Sequence, residues 1–350
     1  MKGKVVYLYA FDVADAIRTE EVREVFSQKP FPFQIRVGTQ APKDVRIYQP
    51  LTIALPDETR DGALVRTFVK IFNVGVISIS FEVEVDAPRC ADLVPLHKAP
   101  ALEKRAEEIR DQTIRNLRPL LVRPNETLAV AEAYTVFCLR DVPGDVETWS
   151  ARNRREVAAL LNEEPDPQRL ATAQVEETWS STVAYAVDDL TVIDWDAALL
   201  IDGSGYFDDV LYVIELANLQ LEEFRLLDDR LDAAFERAYD DLERYSALRS
   251  PRARLRALRS MRMDTTKMSE EVSNITKFMG DWHLARVYLA CKDRFHLGHW
   301  EASVDQKLQE LDRIYSIVHA DITARRSMAL EVMIVALFII DVLALFFWKK

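Results

Sequence analysis

The sequence predicts an α+β protein: an N-terminal mixed α/β domain, then long heptad-patterned helices ending in one transmembrane helix. Three observations carry that reading. Up to about Gly205 the apolar pattern switches between short β-rich runs and amphipathic stretches, the mark of mixed structure. Beyond Gly205 strand-like alternation stops and apolar residues recur at steps of four and three. The run 328–348, MALEVMIVALFIIDVLALFFW, has the length and apolarity of the ~20 residues that span a bilayer. The expected divisions are 1–205 for the α/β domain, 206–326 for a helical hairpin or coiled-coil arm, and 327–350 for a C-terminal anchor.

Within the first division, strands are expected at 5–11, 33–37, 48–55, 65–85, 127–139 and 181–201, where β-branched and aromatic residues cluster. The run FVKIFNVGVISISFEVEV reads as two strands, or as one bent at Asn73 to Gly75, because Asn and Gly supply positive φ. Helical periodicity covers 101–117 and 148–161, and Pro165 and Pro167 mark a loop after the second.

In the second division a seam runs through Val210, Ile214, Ala217, Leu221, Phe224, Asp228, Leu231, Phe235, Ala238, Leu242 and Tyr245. Such a helix extends ~50 Å at ~1.5 Å per residue. After a turn at Ser250 and Pro251, a second seam follows through Met261, Thr265, Met268, Val272, Ile275, Met279, Trp282 and Leu289. A third takes in Val304, Leu308, Leu311, Tyr315, Val318 and Ile322, and its phase continues through Ala329, Val332, Ala336, Ile339, Leu343 and Phe346. Coiled coil and terminal helix therefore read as one rod. The seams can pair within one chain or between two.

Arg325, Arg326, Lys349 and Lys350 bracket the terminal run with charges that prefer headgroups. Glu331 and Asp341 interrupt it, at ~2.5–3.5 kcal/mol for an acidic residue near a helix centre. Asp341 lies deeper and calls for protonation or for pairing with another subunit's helix. The N-terminal apolar run breaks at Asp12, too short for a secretory core, so a single-pass C-terminal anchor is expected to leave the body on the side of synthesis.

A formal charge of -12 on 350 residues excludes a protein whose main surface is a nucleic-acid footprint. Cys90, Cys138 and Cys291 are odd in number and lack a CxxC pair, so neither a disulfide framework nor a zinc ribbon is indicated. Cys291, His296 and His299, with His283 nearby, are metal-ligating types without HExxH or Glu-x-x-His spacing, and packing or capping around Gly298 accounts for them. Asp194, Asp196 and Asp202 crowd one stretch, and strand alternation puts them on one face, but no Ser, Lys or His partner stands at defined spacing. Arg249, Arg252, Arg254, Arg256, Arg259 and Arg262 form a basic stretch at 249–262 that suits RNA, anionic lipid or the acidic run 228–243 across a hairpin. No Walker loop, GxGxxG or G-x-S-x-G is present. No catalytic, cofactor-binding or metal-ligating residue is assigned, and no cofactor is expected.

The stretch KFMGDWHLARVYLACKDRFHLGHWEASVDQKLQELDRIYSIVHADITARRSMALEVMIVALFIIDVL resembles the required-for-meiotic-nuclear-division family. The positions that carry the likeness are Trp300, Leu308, Leu311, Arg325, Arg326, Glu331 and Asp341, and FVKIFNVGVISISFEV and VIDWDAALLID are similar to its strands. The resemblance implies a membrane-anchored, self-associating protein without enzymatic activity or transferable active-site residues, more like a bacterial member, so the expected placement is a bacterial-type inner membrane, single-pass, with the body in the cytoplasm. The expected function is thus a non-enzymatic tail-anchored scaffold that forms a homo-oligomer and binds a protein partner. The alternatives are an RNA- or anionic-lipid-binding platform on 249–262 and a metal-dependent hydrolase.

Overall fold

The structure is a computed structural model that describes residues 1–33, 50–60, 62–125, 131–243 and 282–348. It divides into two compact units. The first comprises 1–226 with 282–300, and the second 227–243 with 301–348, among the described residues.

The first unit is built on a sheet whose strands run in the order β10-β11-β12-β9-β1-β7-β6-β4-β3, with β5 also on β6. These are β1 (Lys2–Asp12), β3 (Phe31–Pro32), β4 (Leu51–Ala54), β5 (Glu58–Arg60), β6 (Ala63–Ile71), β7 (Val76–Asp86), β9 (Glu132–Leu139), β10 (Thr182–Val183), β11 (Asp189–Ile193) and β12 (Ala197–Asp202). A separate small ribbon joins β2 (Ala14–Ile17) to β8 (Leu121–Pro124). Pairing is antiparallel throughout this sheet except between β9 and β12, where Ala197 stands opposite Thr135.

Period-2 geometry sends alternate residues to opposite faces. On one face Val5, Tyr7, Tyr9 and Phe11 of β1 join Ile77, Ile79 and Phe81 of β7 in the apolar core. Helix α1 (Pro100–Leu117) adds Leu102, Ala106 and Ile109, and α2 (Val146–Leu161) adds Trp149, Val157 and Leu160. Tyr7 donates its hydroxyl to the Leu96 carbonyl at 2.7 Å, and Thr135 donates to that of His97 at 2.7 Å. The segment between β7 and α1 is thereby tied across the sheet.

The expected bend at Asn73 to Gly75 is a tight turn between two strands. Gly75 sits at φ +98°, and a Cβ there would lie 1.7 Å from the Ala14 carbonyl oxygen, so only glycine fits. Its own carbonyl accepts from the Val13 amide at 3.0 Å. The turn therefore also anchors the start of β2.

The helices expected at 101–117 and 148–161 are α1 and α2 within a residue or two. Asp145 caps α2 by accepting from the Thr148 amide at 2.7 Å. Several elements differ from expectation, among them the short strands β2, β5 and β8, which were not foreseen. The strand expected over 181–201 is three strands, β10 to β12, because hairpin turns interrupt a run that is apolar on both faces. Helix α3 (Thr172–Ser180) was not foreseen, as only Val175 and Thr178 of its nine residues are buried and its apolar stripe is faint. The strand expected at 33–37 lies, but for Phe33, outside the described residues, and the two-residue strand β3 at Phe31–Pro32 precedes it.

The C-terminal part is helical, as expected: α4 (Asp208–Glu243), α5 (Trp282–Arg294) and α6 (Leu297–Trp348). In α5 the buried positions are Leu284, Ala285, Val287, Tyr288 and Cys291, whereas Trp282 is 80% and Leu289 46% exposed. The second seam, which placed Trp282 and Leu289 on the inner stripe, is out of phase with this burial. Its members at 261–279 lie outside the described residues.

The expected transmembrane anchor is overturned. Among the described residues no helix is long and apolar enough to cross a membrane. The expected tail anchor and single-pass inner-membrane placement go with it.

Candidate functional site

The sequence brought Asp194, Asp196 and Asp202 together, and the fold separates them. Asp194 and Asp196 lie in the turn between β11 and β12, while Asp202 ends β12 and accepts from the Ser204 amide at 2.7 Å. Asp196 is exposed and Asp194 is 3% exposed. No strand among the described residues carries all three on one face.

Asp194 is instead the centre of a buried polar hub. One carboxylate oxygen, Oδ2, accepts from Thr178 Oγ1 at 2.7 Å and Asn162 Nδ2 at 3.2 Å. The other, Oδ1, accepts from the Trp195 amide at 2.8 Å and from two nitrogens of Arg294, with Nε at 3.0 Å. Arg294 also reaches Glu177 at 2.6 Å. Tyr134 donates its hydroxyl to the Asp194 carbonyl at 2.8 Å, and burial raises that phenol well above its ordinary range. A buried charge satisfied on every side holds structure together and leaves no lone pair for a substrate. The hub joins α2, α3, the β11–β12 turn and α5.

The histidine group is dispersed. His296 stands at φ +51° between α5 and α6, its ring 5.6 Å from those of Trp195 and His299. His283 lies 3.7 Å from Asp189 and its ring 5.8 Å from that of Tyr185. Cys291 is fully buried, and burial pushes its thiol far up. Among the described residues no three His, Cys, Asp or Glu side chains converge as a metal site. The arginines of 249–262 lie outside the described residues.

A second polar system escaped the sequence reading. Residues 211–222 of α4 are buried on every side, including Glu215, Asn218, Gln220 and Glu222. Glu215 accepts from Ser78 Oγ at 2.6 Å and pairs with Lys70, whose side chain is 11% exposed. Asn218 donates to the Glu132 carbonyl at 3.2 Å, and Arg225 pairs with the Glu132 carboxylate. Burial raises the Glu132 pKa while Arg225 opposes the rise. Residues 215, 218, 222 and 225 follow helical spacing, so one stripe of α4 meets a polar sheet face. The signal was present as a Glu, Asn, Glu, Arg stripe, masked by the stronger apolar seam beside it.

The family model described as "Uncharacterized protein MJ0711, N-terminal domain" matches residues 2–208, more than half of the chain. The chain belongs to this family. The match begins with β1 and ends where α4 starts, so the family's domain here is the sheet with α1 to α3. "Uncharacterized protein MJ0711" of Methanocaldococcus jannaschii is 23% identical over 215 residues, which cover 61% of this chain and 65% of the relative. The chain therefore spans about two thirds, just under, of the length of the curated relative it matches. No solved structure matches.

Proposed function

We propose that the protein is a non-enzymatic scaffold that self-associates through α6 and uses its α/β domain to bind a protein partner, in keeping with the resemblance to the required-for-meiotic-nuclear-division family. The observation that supports this reading is the run Met328 to Ile340. Ten large apolar side chains in it are exposed, from Ile339 at 53% to Phe338 at 70%. Monomers rarely leave so dense an apolar surface uncovered.

A second copy is the fitting occupant because the step pattern of the seam before the run continues into it. Val304, Leu308, Leu311 and Tyr315 are buried, and the phase continues through Val332 and Ile339, which are exposed. Burying a large apolar side chain contributes ~1.5–3 kcal/mol. If half of each copy's ten are covered in a dimer, the gross gain of ~15–30 kcal/mol exceeds the ~4–15 kcal/mol cost of association.

The test is sedimentation equilibrium of the full chain beside a version ending at Arg326 and an Ile334→Glu/Phe338→Glu variant. The full chain should sediment as an oligomer and both others as monomers. An oligomer that survives the double substitution removes α6 as the interface, and a monomeric full chain removes self-association.

A further inference from the structure

We propose that a cavity between the sheet and the first turn of α4 is a binding site for a small organic ammonium ion carrying one aromatic ring. The cavity holds about 180 Å³, below the ~300–1,000 Å³ of sites that take drug-sized ligands, so it suits a single ring. Phe31, Phe33, Phe68 and Leu211 supply its apolar walls. Phe31 is 48% exposed at the mouth.

Two observations give the ligand its polarity. Thr52 lines the cavity at 3% exposure, and its Oγ1 is buried without a hydrogen-bond partner among the described residues. A buried hydroxyl in that state is a site prepared for a polar atom from a guest. The charges of the lining give the sign: Glu82, Asp208 and Glu215 are acidic, and Lys70 is the one base.

Lys70 is already neutralised by Glu215, and its ammonium stands 4.8 Å over the Phe33 ring. Glu82 is held by Lys4 at 2.6 Å. Asp208, exposed at the start of α4, makes no salt bridge among the described residues. An incoming anion would meet carboxylates and find the lysine taken. A cation meets the Asp208 carboxylate and aromatic faces of the kind on which Lys70 already rests. The ring of the guest fills the apolar part, and an N–H satisfies Thr52.

The test is a ligand-observed NMR titration of the full chain with benzylamine, benzyl alcohol and benzoate. Benzylamine should saturate and bind at least about ten-fold more tightly than benzoate, a difference of ~1.4 kcal/mol. Asp208→Asn, a surface change, should weaken benzylamine several-fold and leave benzyl alcohol unchanged. Thr52→Val should weaken both amine and alcohol while the free protein melts no lower than the parent. Leu211→Trp should fill the space and abolish all three. Benzoate binding as well as benzylamine, amine binding indifferent to Asp208→Asn, or the absence of saturable benzylamine binding each overturns the proposal. These readouts do not depend on oligomeric state, so they stand apart from the fate of α6.

Discussion

Arg294 directs two of its nitrogens at a single oxygen of Asp194, a residue 100 positions earlier, with Nε at 3.0 Å. The side chains are 11% and 5% exposed, so the pair lies where removing one partner strands the other's charge. Asp194→Ala should cost ~3–5 kcal/mol, measured by urea denaturation. Replacing both, as Asp194→Asn with Arg294→Met, should cost less than the sum of the two single changes. Additive losses would mean that the pair is not coupled.

The turn between β6 and β7 predicts a severe backbone effect. At Gly75 an alanine meets both a left-handed φ and the Ala14 carbonyl. Gly75→Ala should lose well over ~1 kcal/mol, beyond the usual range for glycine replacements at compatible sites. Gly144, also at positive φ but with nothing within 4 Å, should lose less on the same change. Equal losses would assign the effect to φ alone.

Acid should expose the cap on α2. Hydrogen bonds from the Thr148 backbone and side chain hold the Asp145 carboxyl below the usual carboxylate range. A depressed folded-state pKa means that the stabilisation is present above the unfolded value of ~3.9 and fades as pH falls through the folded value. Asp145→Ala should therefore melt below the parent at neutral pH, and the gap should close in strong acid. A gap that persists there would assign the cap's effect to packing.

The three thiols should be silent in the native protein. Cys90, Cys138 and Cys291 are buried and unpaired. Burial pushes Cys90 up to about 12 and the other two further, and the thiolate is the reacting species. With Ellman's reagent none should react within minutes at mildly alkaline pH, and all three should react in concentrated guanidinium. Rapid native labelling of one would show that its surroundings open locally.

Legibility in the sequence followed the range of the interaction. The β6–β7 turn could be read because Asn73 and Gly75 are local signals, and α1 and α2 because amphipathic periodicity is local too. The β11–β12 hairpin could not, since VIDWDAALLI is apolar on both faces and its turn uses Asp194, Trp195 and Asp196 without a glycine. The partner of Asp194 could not be read because nothing within a hundred residues announces Arg294. The polar stripe of α4 was hidden by its own helix: an apolar seam at steps of four and three sufficed to account for it. The Thr52 cavity depends on strands and a helix that are far apart in sequence and had no signature at all.

The position of β1 also bears on synthesis. Its two neighbours, β7 at Val76–Asp86 and β9 at Glu132–Leu139, both follow it in the chain, the second by more than a hundred residues. On the ribosome β1, eight of whose eleven residues end up buried, emerges with neither edge paired, and one edge stays open until β9 appears. The open edge is thus exposed to wrong pairing over that interval, and slow translation between β7 and β9 prolongs the exposure.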